Sequence, residues 1–199
     1  MTDLEALTLS LTKIADVLDA MSVSWAVGGS IASSVYGEPR ATNDIDVIAT
    51  LSEKQARALV AQLGDEFYAN EDSAADAVRR RSSFNVIDNS SLIKVDIFVP
   101  ANGPLGVGQL ERVRHLSAFP GMRPVPILGP EDIVLQKLRW HRAGGGVSDR
   151  QWRDLVSILR IVGQHIDGAY LEEVATKEGL GEALERARTD AKGGKSVER

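Results

Sequence analysis

Asp44 and Asp46 stand two residues apart in the apolar run Asp44-Ile45-Asp46-Val47-Ile48-Ala49. On a strand this spacing turns both carboxylates to one face and Ile45 and Val47 to the other. Two such charges repel unless a cation lies between them. Hard oxygen donors suit Mg²⁺ or Mn²⁺, which keep several waters and take further ligands from substrate phosphates. The pair alone discriminates little, because 15 aspartates among 199 residues produce about one Asp-x-Asp by chance. Asp96 gives it weight. In the run Ile93 to Pro100, Lys94, Asp96 and Phe98 share one face while Val95, Ile97 and Val99 share the other. A carboxylate in so apolar a strand is costly unless it is paired or metal-bound. Pairing with Lys94 or an arginine, or a solvent-facing edge position, is the bland reading. If the two strands are neighbours, Asp44, Asp46 and Asp96 form a three-carboxylate site able to hold two ions.

The segment Val27-Gly28-Gly29-Ser30 offers a complementary chemistry. Two glycines at a strand end let the backbone approach a ligand, and the amides and dipole at the start of the next helix favour an anion. The Ser30 hydroxyl adds a donor, and Arg40 and Thr42, just before Asp44, are further candidates to bind phosphate oxygens. Other motifs carry less. Gly193-Gly194-Lys195-Ser196 resembles the end of a phosphate-binding loop, but Thr189 stands where that motif needs glycine and no strand precedes it. His115, His141 and His165 are scattered without metal-ligand spacing. Ser30 has no evident histidine partner for acyl chemistry, and Trp140 and Trp152 fall at positions expected to be core.

These residues need a scaffold. Apolar residues at three- and four-residue spacings predict a helix over residues 3–20. A short strand should end at Gly28, followed by a helix over 31–36 stopped by Gly37 and Pro39. Strands are expected at 44–49, 83–87, 92–99 and 125–128, with a hairpin across Asp88-Asn89-Ser90-Ser91. Helices are expected from Ser52 to about Leu63, over 72–80, and then over 131–142, 149–163, 170–178 and 181–190, with Gly144-Gly145-Gly146 breaking the first two of the last group apart and residues 191–199 frayed. The fold class is therefore α/β (α+β), a mixed β-sheet flanked by helices in residues 1–128 with a helical C-terminal segment in 129–199.

Composition sets limits. The chain has no cysteine, which excludes disulfide scaffolds, thiolate zinc sites, thiol nucleophiles and Fe–S clusters. No apolar run approaches a membrane span, and the acidic N-terminus lacks the basic start of a secretory signal, so a cytoplasmic protein is expected. The formal net charge of −5 argues weakly against a generic duplex binder. All of that excess lies in the first 128 residues. Residues 133–160 instead carry Lys137, Arg139, Arg142, Arg150, Arg153 and Arg160 against Asp149 and Asp154, a plausible surface for polyanions.

The stretch WAVGGSIASSVYGEPRATNDIDVIA resembles the signature of the polymerase-β-type nucleotidyltransferase superfamily, in which a Gly-Gly/Ser turn precedes an Asp-x-Asp strand and a third Asp follows on a later one. Within it the chain looks most like the small bacterial branch that includes AbiEii-like abortive-infection toxins. Arg40-Ala41-Thr42-Asn43-Asp44-Ile45-Asp46 matches the Arg-x-Thr-x-Asp-x-Asp run of that branch. The run Glu131-Asp132-Ile133-Val134-Leu135-Gln136-Lys137-Leu138 matches its later acidic helix ending in Lys-Leu, and Asp149 with Asp154 resembles the Asp-bearing helix after it. The resemblance spans roughly residues 25–160. It implies a nucleotidyltransferase core and transfer of NMP from an NTP to an acceptor hydroxyl on RNA or tRNA, protein or a small molecule. Asp44, Asp46 and Asp96 would be catalytic and bind two Mg²⁺ (or Mn²⁺) ions. Gly28, Gly29, Ser30, Arg40, Thr42 and Lys137 would bind the nucleotide. A toxin role with a cognate antitoxin partner follows from the branch. The alternatives are a non-catalytic nucleotide-binding or antitoxin-like module of the same fold, and an antibiotic-type small-molecule adenylyltransferase.

Overall fold

Thr2 starts the first helix, α1 (Asp3–Ala20), with a capping box: its hydroxyl accepts from the Glu5 amide and its own amide donates to the Glu5 carboxylate. The computed structural model describes residues 2–145 and 148–193. After α1 come β1 (Trp25–Val27), α2 (Gly29–Tyr36), β2 (Asp44–Ala49), α3 (Glu53–Leu63), β3 (Phe67–Tyr68), α4 (Glu71–Arg80), β4 (Ser83–Asp88) and β5 (Lys94–Phe98). The chain continues through β6 (Arg114–Leu116), β7 (Val125–Ile127), α5 (Pro130–Ala143), α6 (Asp149–Val162), α7 (Gly168–Lys177) and α8 (Gly181–Gly193). This is an α/β architecture. It divides into two compact units, Met1–Ile31 with Ala41–Leu128, and Ala32–Arg40 with Gly129–Arg199.

The first unit holds a mixed seven-stranded sheet in the order β3-β4-β5-β2-β1-β7-β6. Its middle is the parallel pair β2 and β5, with β4 antiparallel outside β5 and β1 antiparallel outside β2. Alternation along β2 and β5 explains their placement: Ile45, Val47, Val95 and Ile97 are fully buried on one face, while Asp44, Asp46, Lys94 and Asp96 remain partly open on the other. Helix α1 contributes Leu11, Ile14 and Leu18 to the same core. The β4–β5 hairpin is the one expected from its turn residues, and it contains a buried Asp88 that accepts hydrogen bonds from the Ser10 and Ser90 hydroxyls and from the Ser90 amide. Burial pushes this carboxyl up, but those hydrogen bonds and the nearby Lys13 ammonium outweigh it and hold the group below the usual carboxylate range.

The second unit is helical. Helix α5 packs on α6 and α7, and α6 packs on α8. Pro130 occupies the first turn of α5, where its missing N–H costs nothing. Helix α6 buries Asp154, Leu155, Val156, Ser157 and Ile158. The structure differs from the sequence expectation in several places, among them residues 191–193, expected to be frayed, which continue α8 to Gly193. The strands β3 and β6, of two and three residues, are too short to produce a readable period. Helix α2 begins at Gly29 rather than Ile31, because its first turn is built by the glycine turn itself. Trp140 is not core: 59% of its surface is exposed, since the apolar stripe of α5 runs through Val134, Lys137, Leu138 and His141 and leaves residue 140 on the outer side. Trp152 is half-buried, between the His141 ring at 4.9 Å and the Arg186 guanidinium at 4.0 Å. Of Gly193-Gly194-Lys195-Ser196, only Gly193 falls within the described residues, as do Ala191 and Lys192 of the tail and Gly144 and Gly145 of the glycine triplet.

Candidate active site

The parallel register of β2 and β5 turns sequence spacing into a two-by-two array. Asp44 lies opposite Lys94, and Asp46 lies opposite Asp96. Because side chains two apart share a face, all four project from the same side of the sheet. Lys94 Nζ stands 2.6 Å from Asp96 Oδ2. The Thr42 hydroxyl donates to Asp44 Oδ1 at 2.6 Å, which orients that carboxylate from the segment just before β2. Lys94 is held above its ordinary basicity, first by the hydrogen bond to Asp96; partial burial works against this, and the charges of Asp96, Asp44 and Asp46 add to it. Lys94 thus senses all three carboxylates.

The glycine turn closes on the same array. The Gly28 amide donates to the Asp46 carbonyl at 2.9 Å. Gly29 has φ +54°, and a Cβ there would lie 1.7 Å from Asp46 Oδ2, so no other residue fits without displacing the carboxylate. The start of α2, with Ser30 beside it, therefore abuts Asp46. The arrangement sets a helix N-terminus, which attracts anions, beside carboxylates, which attract cations. Phosphate with a divalent cation is a ligand that answers to both. Among the described residues no three acidic or imidazole groups converge as a ready-made cation cage.

Arg40 and Lys137 lie in the second unit, and there they meet on one residue. Arg40 approaches Asp154 through Nε at 3.0 Å and Nη2 at 3.1 Å, a two-pronged contact that suits the planar guanidinium. Lys137 Nζ donates to Asp154 Oδ2 at 2.7 Å and to Gln151 Oε1 at 2.9 Å. The side chains of Lys137 and Asp154 are 5% and 7% exposed. Burial raises the Asp154 carboxyl, but the hydrogen bonds and charges of Arg40 and Lys137 prevail and leave it below its usual range. The structure thus groups Gly28, Gly29, Thr42, Asp44, Asp46 and Asp96 in the first unit and joins Arg40 to Lys137 in the second. From sequence, Lys94 is only a possible pairing partner and Asp154 stands outside the candidate site. A signal for the Asp154 network exists, because Lys137 sits on the apolar stripe of α5, where an unpaired ammonium is untenable.

No family model matches the chain, and no curated protein does. Solved structures do. The antibiotic-resistance factor ANT(2'')-Ia is similar in structure with a TM-score of 0.55 and 18% identity, over 94% of this chain and 95% of that one. An antigenic nucleotidyltransferase-like protein from Paracoccidioides brasiliensis gives a TM-score of 0.54 at 16% identity, over 94% and 93%. A putative nucleotidyltransferase from Thermotoga maritima gives 0.50 at 23% identity, over 72% and 89%. At these identities the likeness speaks for architecture, and the chain accordingly has the fold of nucleotidyltransferase-like proteins.

Proposed function

We propose that the protein is a Mg²⁺-dependent nucleotidyltransferase that moves NMP from an NTP to an acceptor hydroxyl. The observation that carries this reading is the in-register pairing of Asp46 with Asp96, with the Gly29 backbone closed against Asp46. The residues fit the metal that such chemistry needs: Asp44 and Asp46 offer hard oxygens on one face, and Mg²⁺ typically takes one or two carboxylates and completes its shell with water and phosphate oxygens. When bound, the ion supplies charge neutralisation at the phosphates.

The chain's own residues do the rest. The Gly28–Gly29 turn and the first amides of α2 bind the terminal phosphates, and the Ser30 hydroxyl adds a hydrogen bond. Asp44 and Asp46 would hold the cation that accompanies the triphosphate, with Thr42 keeping Asp44 in place. Asp96 accepts the proton of the acceptor hydroxyl. The acceptor oxygen bonds to the α-phosphorus as the bond to the bridging α–β oxygen breaks, and pyrophosphate leaves with that oxygen. Positioning and charge stabilisation provide most of the acceleration in reactions of this kind. Arg40 and Lys137 act through Asp154 as a positioning network for the helical unit.

For the acceptor, the likeness to the antibiotic-resistance factor ANT(2'')-Ia favours a small molecule, whereas the exposed Arg139, Arg142, Arg150, Arg153 and Arg160 favour RNA. The Arg40-to-Asp46 run and the helix at 131–138 support the toxin-bearing branch, and growth arrest on expression that Asp44→Ala relieves is the expected sign of it. The activity itself is tested by incubating the protein with Mg²⁺, each α-labelled NTP, and RNA, protein or aminoglycoside acceptors in turn. Label should enter one acceptor class and disappear in Asp46→Asn. No transfer to any class would sink the proposal.

A further inference from the structure

We infer that Lys94 is the resident counter-cation of the carboxylate array, occupying at Asp96 the electrostatic place of a second metal ion, so that the nucleotide-free protein binds one divalent cation at Asp44 and Asp46. The inference rests on the metal site proposed above and concerns how that site is regulated. Four observations carry it. Lys94 and the three aspartates project from one face of two paired strands. Lys94 is on Asp96 at 2.6 Å, so that one oxygen of this carboxylate is already engaged. Asp44 lies opposite Lys94 and receives the Thr42 hydroxyl at one oxygen, and Asp46 stands two residues on, on the same face of the strand and opposite Asp96. Finally, three carboxylates and one ammonium carry a formal charge of −2, which one divalent ion neutralises.

The Lys94 contact is also displaceable. Its side chain is 44% exposed and that of Asp96 is 20% exposed, so the pair lies near solvent, where ion pairs are weak. A lysine there has a chemical advantage over a second metal: it keeps Asp96 from repelling its neighbours in the empty site and releases it without a dissociation step. Repulsion between Lys94 and an incoming divalent ion at a separation of several ångströms lowers the ion's affinity by about tenfold or more even at near-aqueous screening.

The test is Mn²⁺ binding to the full chain without nucleotide, by calorimetry, with circular dichroism to confirm folding. Wild type should bind one Mn²⁺ per chain. Lys94→Met should bind it about tenfold tighter or take up a second ion, while Lys94→Arg stays within about twofold of wild type. Equal affinity and stoichiometry in wild type and Lys94→Met, with Asp46→Asn still abolishing binding, would overturn the role of Lys94 and leave the metal site standing. Mn²⁺ binding indifferent to Asp44→Asn and Asp46→Asn, or no binding in any form, would overturn the metal site and this inference with it. A second readout needs no metal: in EDTA at low salt, Lys94→Met should lower Tm, and adding Asp44→Asn should recover part of the loss. Additive effects of the two substitutions would contradict the inference.

Discussion

A methyl group at Gly29 would stand 1.7 Å from the Asp46 carboxylate oxygen, and the backbone there has φ +54°. Both facts make Gly29→Ala a sharp probe of the site. The substitution forces either the turn or Asp46 to move, and displacements of about 1 Å in such sites cost on the order of 100-fold in rate. Strain at a left-handed position adds about 1–3 kcal/mol of lost stability. We therefore expect Gly29→Ala to fold with a reduced denaturation midpoint and to lose at least about 100-fold in transfer, by the assay that reads wild type. Near-normal transfer would mean that the turn and Asp46 are not coupled in the reaction. At neighbouring Gly28 the obstacle is the flexible end of Ile48, 2.6 Å from where a Cβ would stand, so alanine there should be milder.

At the scale of elements, Asp154 ties α6 to α5 through Lys137 and to the 32–40 segment through Arg40. Asp154→Asn removes the carboxylate charge that answers the buried Lys137 ammonium, a change that typically costs about 3–5 kcal/mol. Lys137→Met should cost much less, because Arg40 still partners Asp154. The pH dependence has a definite sign. The folded Asp154 carboxyl titrates below its ordinary value of 3.8, so its stabilising contribution is full above that value and is lost as pH falls through the lowered one. Urea denaturation should thus show the largest gap between wild type and Asp154→Asn at neutral pH, with the gap closing as the solution is taken well below pH 3.8. A gap that stays constant with pH would mean the carboxylate charge is not what Lys137 requires.

These elements also mark how far the sequence can be read. Period-two patterning in 44–49 and 93–99 is enough to place three aspartates on apolar strands, because alternation is local. That the strands are neighbours, parallel and in register is a non-local fact, and only the pairing of Asp46 with Asp96 brings the acids of the two strands side by side. The Arg40–Asp154 contact joins residues 114 apart in sequence, beyond the reach of any spacing rule. Trp140 shows the opposite error: an aromatic in an amphipathic helix reads as core, while Lys137, a charged residue, holds the buried stripe through its ion pair.

At the scale of the molecule, the acidic net charge of −5 lies wholly in the first 128 residues, the stretch that supplies the carboxylate array. The divalent cations proposed to bind there would reduce that charge, which makes the acidic composition compatible with a polyphosphate substrate. Among the described residues no helix is long and apolar enough to cross a membrane. The proposed activity is nucleotidyl rather than phosphoryl transfer, with Asp46 at its centre. Paired reactions with α-labelled and γ-labelled forms of the accepted NTP, in Mg²⁺ and with the acceptor class that takes label, separate the two. We expect α-label in the acceptor, γ-label in released pyrophosphate, and neither product with Asp46→Asn. Acceptor carrying γ-label, or α-label transfer undiminished in Asp46→Asn, would refute nucleotidyl transfer at this site.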